Sequence, residues 1–290
     1  MYQEQKLVLK NLDSFDLENI FECGQCFRWN KLEKNTYIGV IKSGILKVTK
    51  NGDSVTFEGM LDGDINSIVY NYFDLETDYS LIKQRLSKID KNMKKATEYG
   101  QGIRILRQDL WEMIISYIIS ANNNIPRIKG IIERISNKCG DQIEWLGTKY
   151  HLFPTPEQLS HLSVEDLRNL GTGFRDKRIH HTTQMVLNGQ IDLNNLYRIK
   201  DIDTLREELL KLDGVGEKVA DCIMLFSLHR FDSFPIDVWV RRVMNTLYIK
   251  EKDETKVSKK QIKEKAEELF GKDKGIAQQY LFYLARETIK

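Results

Sequence analysis

The sequence predicts an α+β protein with a small N-terminal antiparallel sheet domain followed by a larger all-helical domain. Two observations carry this. The first sixty residues hold short runs rich in β-branched and aromatic residues, at 6–9, 26–29, 36–41, 45–50 and 54–57. From about residue 64 onward, apolar residues recur instead at three and four positions, the helical spacing. Strands followed by helices suit the α+β class.

The strand runs are separated by Lys42-Ser43-Gly44 and Asn51-Gly52-Asp53, both good hairpin turns, so an antiparallel meander is expected. Helices are expected at 64–73, 79–87, 109–121, 125–137, 156–160, 164–170, 175–188, 202–211, 216–229, 237–248, 258–270 and 274–289. Asp109 stands before its apolar run, and Ser163-Val164-Glu165-Asp166 has a capping-box shape. Pro126 falls at a helix start, where its missing N–H costs little. The charged stretch 250–265 reads as an exposed loop leading into an exposed helix. The expected division is 1–100 for the sheet domain with flanking helices and 101–290 for the helical domain.

The chain has 290 residues, 41% of them hydrophobic, enough for about two domains of ~100–200 residues with real cores. No apolar run reaches the ~20 residues needed to span a membrane. The N-terminus, MYQEQKLVLK, carries no apolar signal core, so an intracellular protein is expected, in the cytoplasm or nucleoid of a bacterium or the nucleus of a eukaryote. The net charge of +2 is a weak argument for a polyanionic partner, although a balanced total can hide a basic face. Basic residues gather at Arg127 and Lys129, at Arg175, Lys177 and Arg178, and at Arg241 and Arg242. Each cluster alone reads better as a solvated helix face. The four cysteines are too few and too scattered for a disulfide scaffold. Cys23-Gly24-Gln25-Cys26 has the Cys-x-x-Cys spacing of redox and zinc sites, but no second Cys or His pair completes a zinc site, and no metal ligand set is expected.

The most informative segment is Leu212-Asp213-Gly214-Val215-Gly216-Glu217-Lys218-Val219-Ala220. It joins two helical patterns through Gly214 and Gly216. Glycines let the chain turn sharply and approach a ligand closely, and the second helix then aims its free N–H groups at an anion such as a DNA phosphate. Such a contact positions DNA without reading its sequence. A plain tight interhelical turn would need the same glycines. Lys218 sits on the first turn of the second helix, where the positive end of the dipole disfavours a cation and so favours the neutral amine needed for nucleophilic attack. Nineteen residues on, Asp237 follows Pro235 and precedes an apolar helical run, the address of an N-cap. Capping fixes a carboxylate's orientation, so that role and a chemical one are compatible.

The hairpin, its lysine and the downstream Pro-x-Asp resemble the helix-hairpin-helix glycosylase superfamily. Further segments resemble the 8-oxoguanine DNA glycosylase family in particular. These are Gly24-Gln25-Cys26-Phe27-Arg28-Trp29, Asn122-Asn123-Asn124-Ile125-Pro126-Arg127-Ile128, Leu170-Gly171-Thr172-Gly173-Phe174-Arg175, Lys218-Val219-Ala220-Asp221-Cys222, and Gly275-Ile276-Ala277-Gln278 through Phe282. They occur in family order from about residue 20 to 285.

The resemblance implies a bifunctional base-excision enzyme acting as a monomer on double-stranded DNA that contains 8-oxoguanine, with cytosine the preferred opposite base. It implies Lys218 as nucleophile and Asp237 as its carboxylate partner. The Gly24 carbonyl would accept the N7–H that 8-oxoguanine has and guanine lacks, in a pocket strand framed by Cys23 and Cys26. Cys222 and Phe282 would sandwich the flipped base and Gln278 would meet its Watson–Crick edge. Asn122 would enter the vacated space, Phe174 would wedge the stack, and Arg127 and Arg175 would bond the orphaned cytosine, whose N3 and O2 are acceptors. Gly214 and Gly216 would carry the phosphate. No cofactor is required. A structural cation, monovalent or divalent, would fit on the carbonyls of Leu210, Leu212 and Val215, and with no cysteine after Cys222 an iron–sulfur cluster is not expected. The chain departs from the family pattern at Trp239, where some members carry a histidine, and at Ala285, where some carry an aspartate. A monofunctional glycosylase would use Asp237 to activate water but generally lacks the hairpin lysine. A non-catalytic hairpin module would leave Asp237, Gln278 and the Gly24 segment without a role.

Overall fold

The computed structural model describes residues 1–253 and 256–288. Five strands, β1 (Gln3–Lys10), β2 (Trp29–Glu33), β3 (Thr36–Ile41), β4 (Gly44–Asn51) and β5 (Ser54–Leu61), form one sheet in the order β1-β5-β4-β3-β2. Every neighbouring pair is antiparallel. Strands β2 to β5 are the expected meander, and β1 closes its far edge against β5.

One strand starts later than expected. Residues 26–29 were read as strand, but β2 begins only at Trp29, so Cys23 and Cys26 do not frame a pocket strand. The backbone there turns through Gly24 at φ +86°, a left-handed conformation that takes the chain out of an extended strand. The sheet's inner face closes on an aromatic cluster centred on Phe73. Its ring lies 5.2–6.1 Å from those of Phe15, Phe21, Trp29, Phe57 and Tyr72. Gly39 is required beneath Trp29, because a Cβ there would come within 2.4 Å of the indole.

The remaining chain is mainly helical, and the expected helices are present, most with shorter ends, although the one expected at 125–137 runs on to Cys139. The helix expected at 164–170 is α-helical only over Val164–Leu167, and a wider turn follows through Gly171 at φ +93°. The helix expected at 216–229 spans Glu217–Phe226, and that at 237–248 spans Val238–Met244 before widening over Asn245–Ile249. The C-terminal helix spans Lys274–Thr288; residue 289 of the expected range lies outside the described residues, as do 254 and 255 in the expected loop. Short helices at Leu17–Glu22, Lys91–Tyr99 and Leu193–Leu196 were not expected. Nor is the larger unit wholly helical. Strands β6 (Gln142–Trp145) and β7 (Thr148–His151) form a two-stranded hairpin. Its turn, Leu146-Gly147, has both φ values positive, which is the hairpin turn that matches strand twist. Trp145 carries the hairpin onto Ile38 and Ile45 of the main sheet.

Two large cores result. One lies under the sheet, and the other lies among the helices and includes Tyr79, Ile82, Leu86, Met93 and Ala96. The Cys-x-x-Cys segment straddles them, with Cys23 in the helical core and Cys26 in the sheet core. Both thiols are buried and unpaired with each other. Burial pushes the Cys23 thiol up to about 11 and the Cys26 thiol up as well, so neither supplies the thiolate that redox or zinc chemistry needs.

Because Phe73 is fully buried and packs against five other rings, Phe73→Ala should destabilise the fold by about 3–5 kcal/mol, measured by urea unfolding. A loss below about 1 kcal/mol would show that this cluster does not anchor the sheet.

Candidate active site

The helices Ile202–Leu210 and Glu217–Phe226 meet at the glycine turn. Gly214 adopts φ +86°, and a Cβ there would press on Arg178 at 3.1–3.2 Å and Ile118 at 3.2 Å. Gly216 is different: it is exposed, and nothing lies within 4 Å of where its Cβ would be. It begins the Glu217–Phe226 helix without any side-chain cap, whereas Asp109, Asn124, Asp201, Asp237 and Ser258 each cap theirs. The first N–H groups of the hairpin's second helix therefore face outward without a side-chain acceptor, the condition for anion binding.

The same helix carries Lys218, Cys222 and Phe226 at intervals of four, which places them on one face. They line a cleft with Gly24, Tyr117, Pro235, Asp237, Gln278, Gln279 and Phe282. Its cavity volume is about 50 Å3, room for a few waters. The Lys218 ammonium lies over the Tyr117 ring, 5.3 Å from its centroid. Asp237 caps the Val238–Met244 helix by accepting from the Val240 N–H at 2.7 Å. Burial raises its pKa above the ordinary carboxylate value, against the lowering effect of its backbone hydrogen bonds and of Lys218. Burial also pushes the Cys222 thiol up to about 11.

Across the cleft, the carbonyls on either side of Gly24 are occupied. Cys23 accepts from Gln279 at 2.6 Å, and Gln25 accepts from Gln108 at 2.8 Å and the Tyr117 hydroxyl at 3.3 Å. Among the described residues, no group donates to the Gly24 carbonyl. Gln278 is buried, and its Oε1 has no partner.

All six residues expected to handle the base and its sugar, Gly24, Lys218, Cys222, Asp237, Gln278 and Phe282, thus line one cleft. The other four non-glycine candidates form a second group. Asn122 is exposed at φ +51°, a left-handed conformation that Asn tolerates. Arg127 is exposed, and Phe174 is 58% exposed. Arg175 does not stand free as a cytosine reader would. It is buried, and its guanidinium donates to the carbonyls of Ala121, Asn122 and Thr172. In this structure it ties the 171–175 turn to the Asn122 turn, and it stacks 4.2 Å from the centroid of the Phe174 ring. Thr182, one helix further on, donates to the Asp213 carbonyl at 2.8 Å and joins this group to the hairpin.

Sequence reasoning missed Tyr117, Phe226, Pro235 and Gln279. Phe226 was findable, since it continues the four-residue spacing from Lys218 and Cys222. Tyr117 was not, because its helix, Leu110–Ser120, is buried almost throughout and shows no distinct face.

Comparison with known proteins identifies the family. Residues 7–114 match the sequence model of the 8-oxoguanine DNA glycosylase N-terminal domain, and residues 115–272 match that of HhH-GPD superfamily base excision DNA repair proteins. The class is therefore a helix-hairpin-helix base-excision protein. The N-glycosylase/DNA lyase of Saccharomyces cerevisiae is 33% identical over 272 residues, covering 85% of this chain and 72% of that protein. The 8-oxoguanine glycosylase/lyase of Clostridium acetobutylicum, solved with duplex DNA carrying cytosine opposite 8-oxoguanine, superposes with a TM-score of 0.92 at 41% identity, covering 99% of this chain and 98% of that one. A 3-methyladenine DNA glycosylase from Archaeoglobus fulgidus, 20% identical, shares the fold, with a TM-score of 0.78 over 97% of this chain and 99% of that one. The chain belongs to the 8-oxoguanine DNA N-glycosylase/DNA lyase family.

The two hairpin glycines should separate by substitution. Gly216→Asp supplies a capping carboxylate, so the melting temperature should hold or rise, while duplex affinity by fluorescence anisotropy should fall about tenfold or more, because the carboxylate takes the anion's place. Gly214→Ala should instead cost about 1–2 kcal/mol of stability through its left-handed backbone. Unchanged DNA affinity in Gly216→Asp would show that these N–H groups do not meet the duplex.

Proposed function

We propose that this enzyme excises 8-oxoguanine from duplex DNA, preferring cytosine on the opposite strand, through a Schiff base on Lys218, and then nicks the strand by β-elimination. The observation that carries this is the convergence of Lys218 and Asp237 on the cleft that also holds the unpaired Gly24 carbonyl and the unpaired Gln278 Oε1. A flipped 8-oxoguanine would give its N7–H to Gly24 and a Watson–Crick N–H to Gln278. Flipping costs a few kcal/mol, and Phe282 must leave its place over Gly24, where its Cε1 lies 3.1 Å from a Cβ position. The ring and Cys222 then hold the base from either side.

The Lys218 amine forms a bond to C1′ as the bond from C1′ to the base breaks, and the departing base takes up a proton. Asp237, fixed by its cap, balances the positive charge that develops on the sugar and receives the amine proton. Opening of the sugar ring gives the Schiff base. Loss of a C2′ proton then breaks the C3′–O3′ bond. Asn122 fills the gap and Phe174 wedges the stack, both being exposed on the same side as Arg127. Arg127 meets the orphaned cytosine directly. Arg175 joins it only by exchanging a backbone carbonyl for the base. The open N-terminus at Gly216 takes a phosphate. The carbonyls of Leu210, Leu212 and Val215 are the oxygens that would hold a hard cation, the Leu212 carbonyl also accepting from the Val215 N–H at 3.1 Å, and the ion would add positive charge beside that phosphate. The chemistry at C1′ does not pass through it.

Borohydride trapping on 8-oxoguanine duplexes tests the nucleophile. Wild-type enzyme should give a covalent adduct and Lys218→Gln should give none; an adduct with the variant would overturn the assignment. Excision with each of the four bases opposite should be fastest at cytosine. Asp237→Asn keeps the cap, because Asn also accepts from the helix N–H. It should nevertheless slow excision by roughly 100-fold or more. The folded pKa of Asp237 is raised, so its charged form opposes folding at pH above both its unfolded and folded values. The Asn variant should therefore melt at the same temperature or higher at neutral pH. This advantage should vanish as pH falls through the raised folded value toward the ordinary one, whereas excision by wild-type enzyme should fall over that range.

A further inference from the structure

The helix that carries Gln278 and Phe282 continues one turn to Arg286. These residues stand four apart, so their side chains follow one another along one face. Arg286 reaches the recognition loop. Its Nη1 lies 3.5 Å from the position of a Cβ on Gly24, beside the Phe282 ring. That nitrogen is sealed from solvent and has no hydrogen-bond partner. Arg28, Arg104 and Arg107 also have a buried nitrogen without a partner, but each donates through its other nitrogens, to Glu133 and the His151 carbonyl, to the Asp74, Thr77 and Asp13 carbonyls, and to the Asp74 carboxylate. Among the described residues, Arg286 has no acceptor for any of its nitrogens. A buried charged donor without an acceptor is costly and calls for a physical reason.

The chemistry of the base supplies one. Oxidation at C8 changes two adjacent atoms of guanine: N7 gains a hydrogen and C8 gains a carbonyl oxygen. The altered edge presents a donor beside an acceptor. The loop and helix present the complement, an unpaired acceptor at Gly24 beside an unpaired donor at Arg286. The order along the helix agrees. With the Phe282 ring on the face of the base and Gln278 at its Watson–Crick edge, the next turn falls at the opposite, imidazole edge.

Resting on the reading that this cleft holds flipped 8-oxoguanine, we propose that Arg286 is a specificity-determining residue that donates to the C8 oxygen of the lesion. Gly24 and Arg286 together read the N7–H and C8=O pair. Unmodified guanine meets both with the wrong partner, offering a lone pair to the Gly24 carbonyl and a C–H to the guanidinium.

Two substrates test this. One duplex carries 8-oxoguanine, and the other carries a preformed abasic site, which has no base to contact. Arg286→Leu should slow single-turnover excision of 8-oxoguanine by roughly 10- to 100-fold, with borohydride trapping on the abasic duplex at the wild-type rate and a melting temperature near that of wild type. Excision by Arg286→Leu at the wild-type rate would overturn the assignment. So would an equal loss on both duplexes, since that would place Arg286 on the DNA backbone or in the fold. A wild-type enzyme that traps neither duplex would instead remove the Lys218 reading beneath it, an outcome distinct from either of these.

Discussion

The Gln25 side chain is fully buried, and each of its polar groups is used. Its amide nitrogen donates to the carbonyls of Ile20 and Arg104, and its amide oxygen accepts from the Leu106 N–H, all at 2.8–2.9 Å. Residues 104–106 belong to the stretch that leads from the sheet unit into the Leu110–Ser120 helix, so one amide fastens the recognition loop to that passage. The Gln25 backbone carbonyl is held in turn by Gln108 and Tyr117, and that of Cys23 by Gln279. Each is a bond whose loss would strand a buried polar group at a cost of about 1–3 kcal/mol. Together they leave the loop no freedom except at Gly24, whose carbonyl is the one oxygen of the three not spoken for. Cys23 and Cys26 pack on opposite sides of this pinned turn, one in each core.

The helix ends show how a nearly neutral chain can present a surface to DNA. Aspartates cap many of the helices, among them those starting at Leu17, Ile65, Tyr79, Lys91, Leu110, Leu193, Ile202 and Val238. These carboxylates neutralise positive helix ends internally and lower the net charge without covering the hairpin. Glu217, in the first turn of the hairpin's second helix, is engaged by Lys259 and Lys263, which draws its charge away from the N-terminus at Gly216. Local arrangement therefore decides where an anion can bind, and net charge reports little of it.

How far the sequence carried this picture follows from the range of each signal. The meander was legible because alternation and turn residues are local. The hairpin, Lys218 and Asp237 were legible because glycine, a first-turn lysine and an N-cap are each set within a few residues. The Cys26–Trp29 strand was misread because that run has strand composition, and only contacts from residues 104–117 and 279 bend it. Strands β6 and β7 were missed because each has only four residues and the hairpin is held by Trp145 packing on a sheet about a hundred residues away. Arg175 was expected to bond the orphaned cytosine, and no local pattern reveals that the Ala121 and Asn122 carbonyls lie beneath it. Arg286 carries no sequence signal beyond its spacing from Phe282. It became visible only when Gly24 was found next to it.

Unpartnered buried side-chain atoms occur elsewhere too, at Tyr37, Ser116 and Tyr280 among others. At this cleft and beside it, the Gln278 Oε1 and the Arg286 Nη1 have no partner, and among the described residues no group donates to the Gly24 carbonyl. On the proposed reading, the cost of leaving these groups unpaired is the source of discrimination. A base that completes all three recovers several hydrogen bonds at once. A base that differs only at N7 and C8 loses the pairings at that edge and leaves one lone pair facing another. Sites built on buried hydrogen bonds reject an incomplete partner far more strongly than apolar pockets reject a wrong shape, because the site's own groups stay unpaired. The stacking that Phe282 and Cys222 would provide is nearly the same for guanine and 8-oxoguanine. On that reading, selection of the lesion comes from these few polar atoms, and the pinned loop and the uninterrupted C-terminal helix hold them in register.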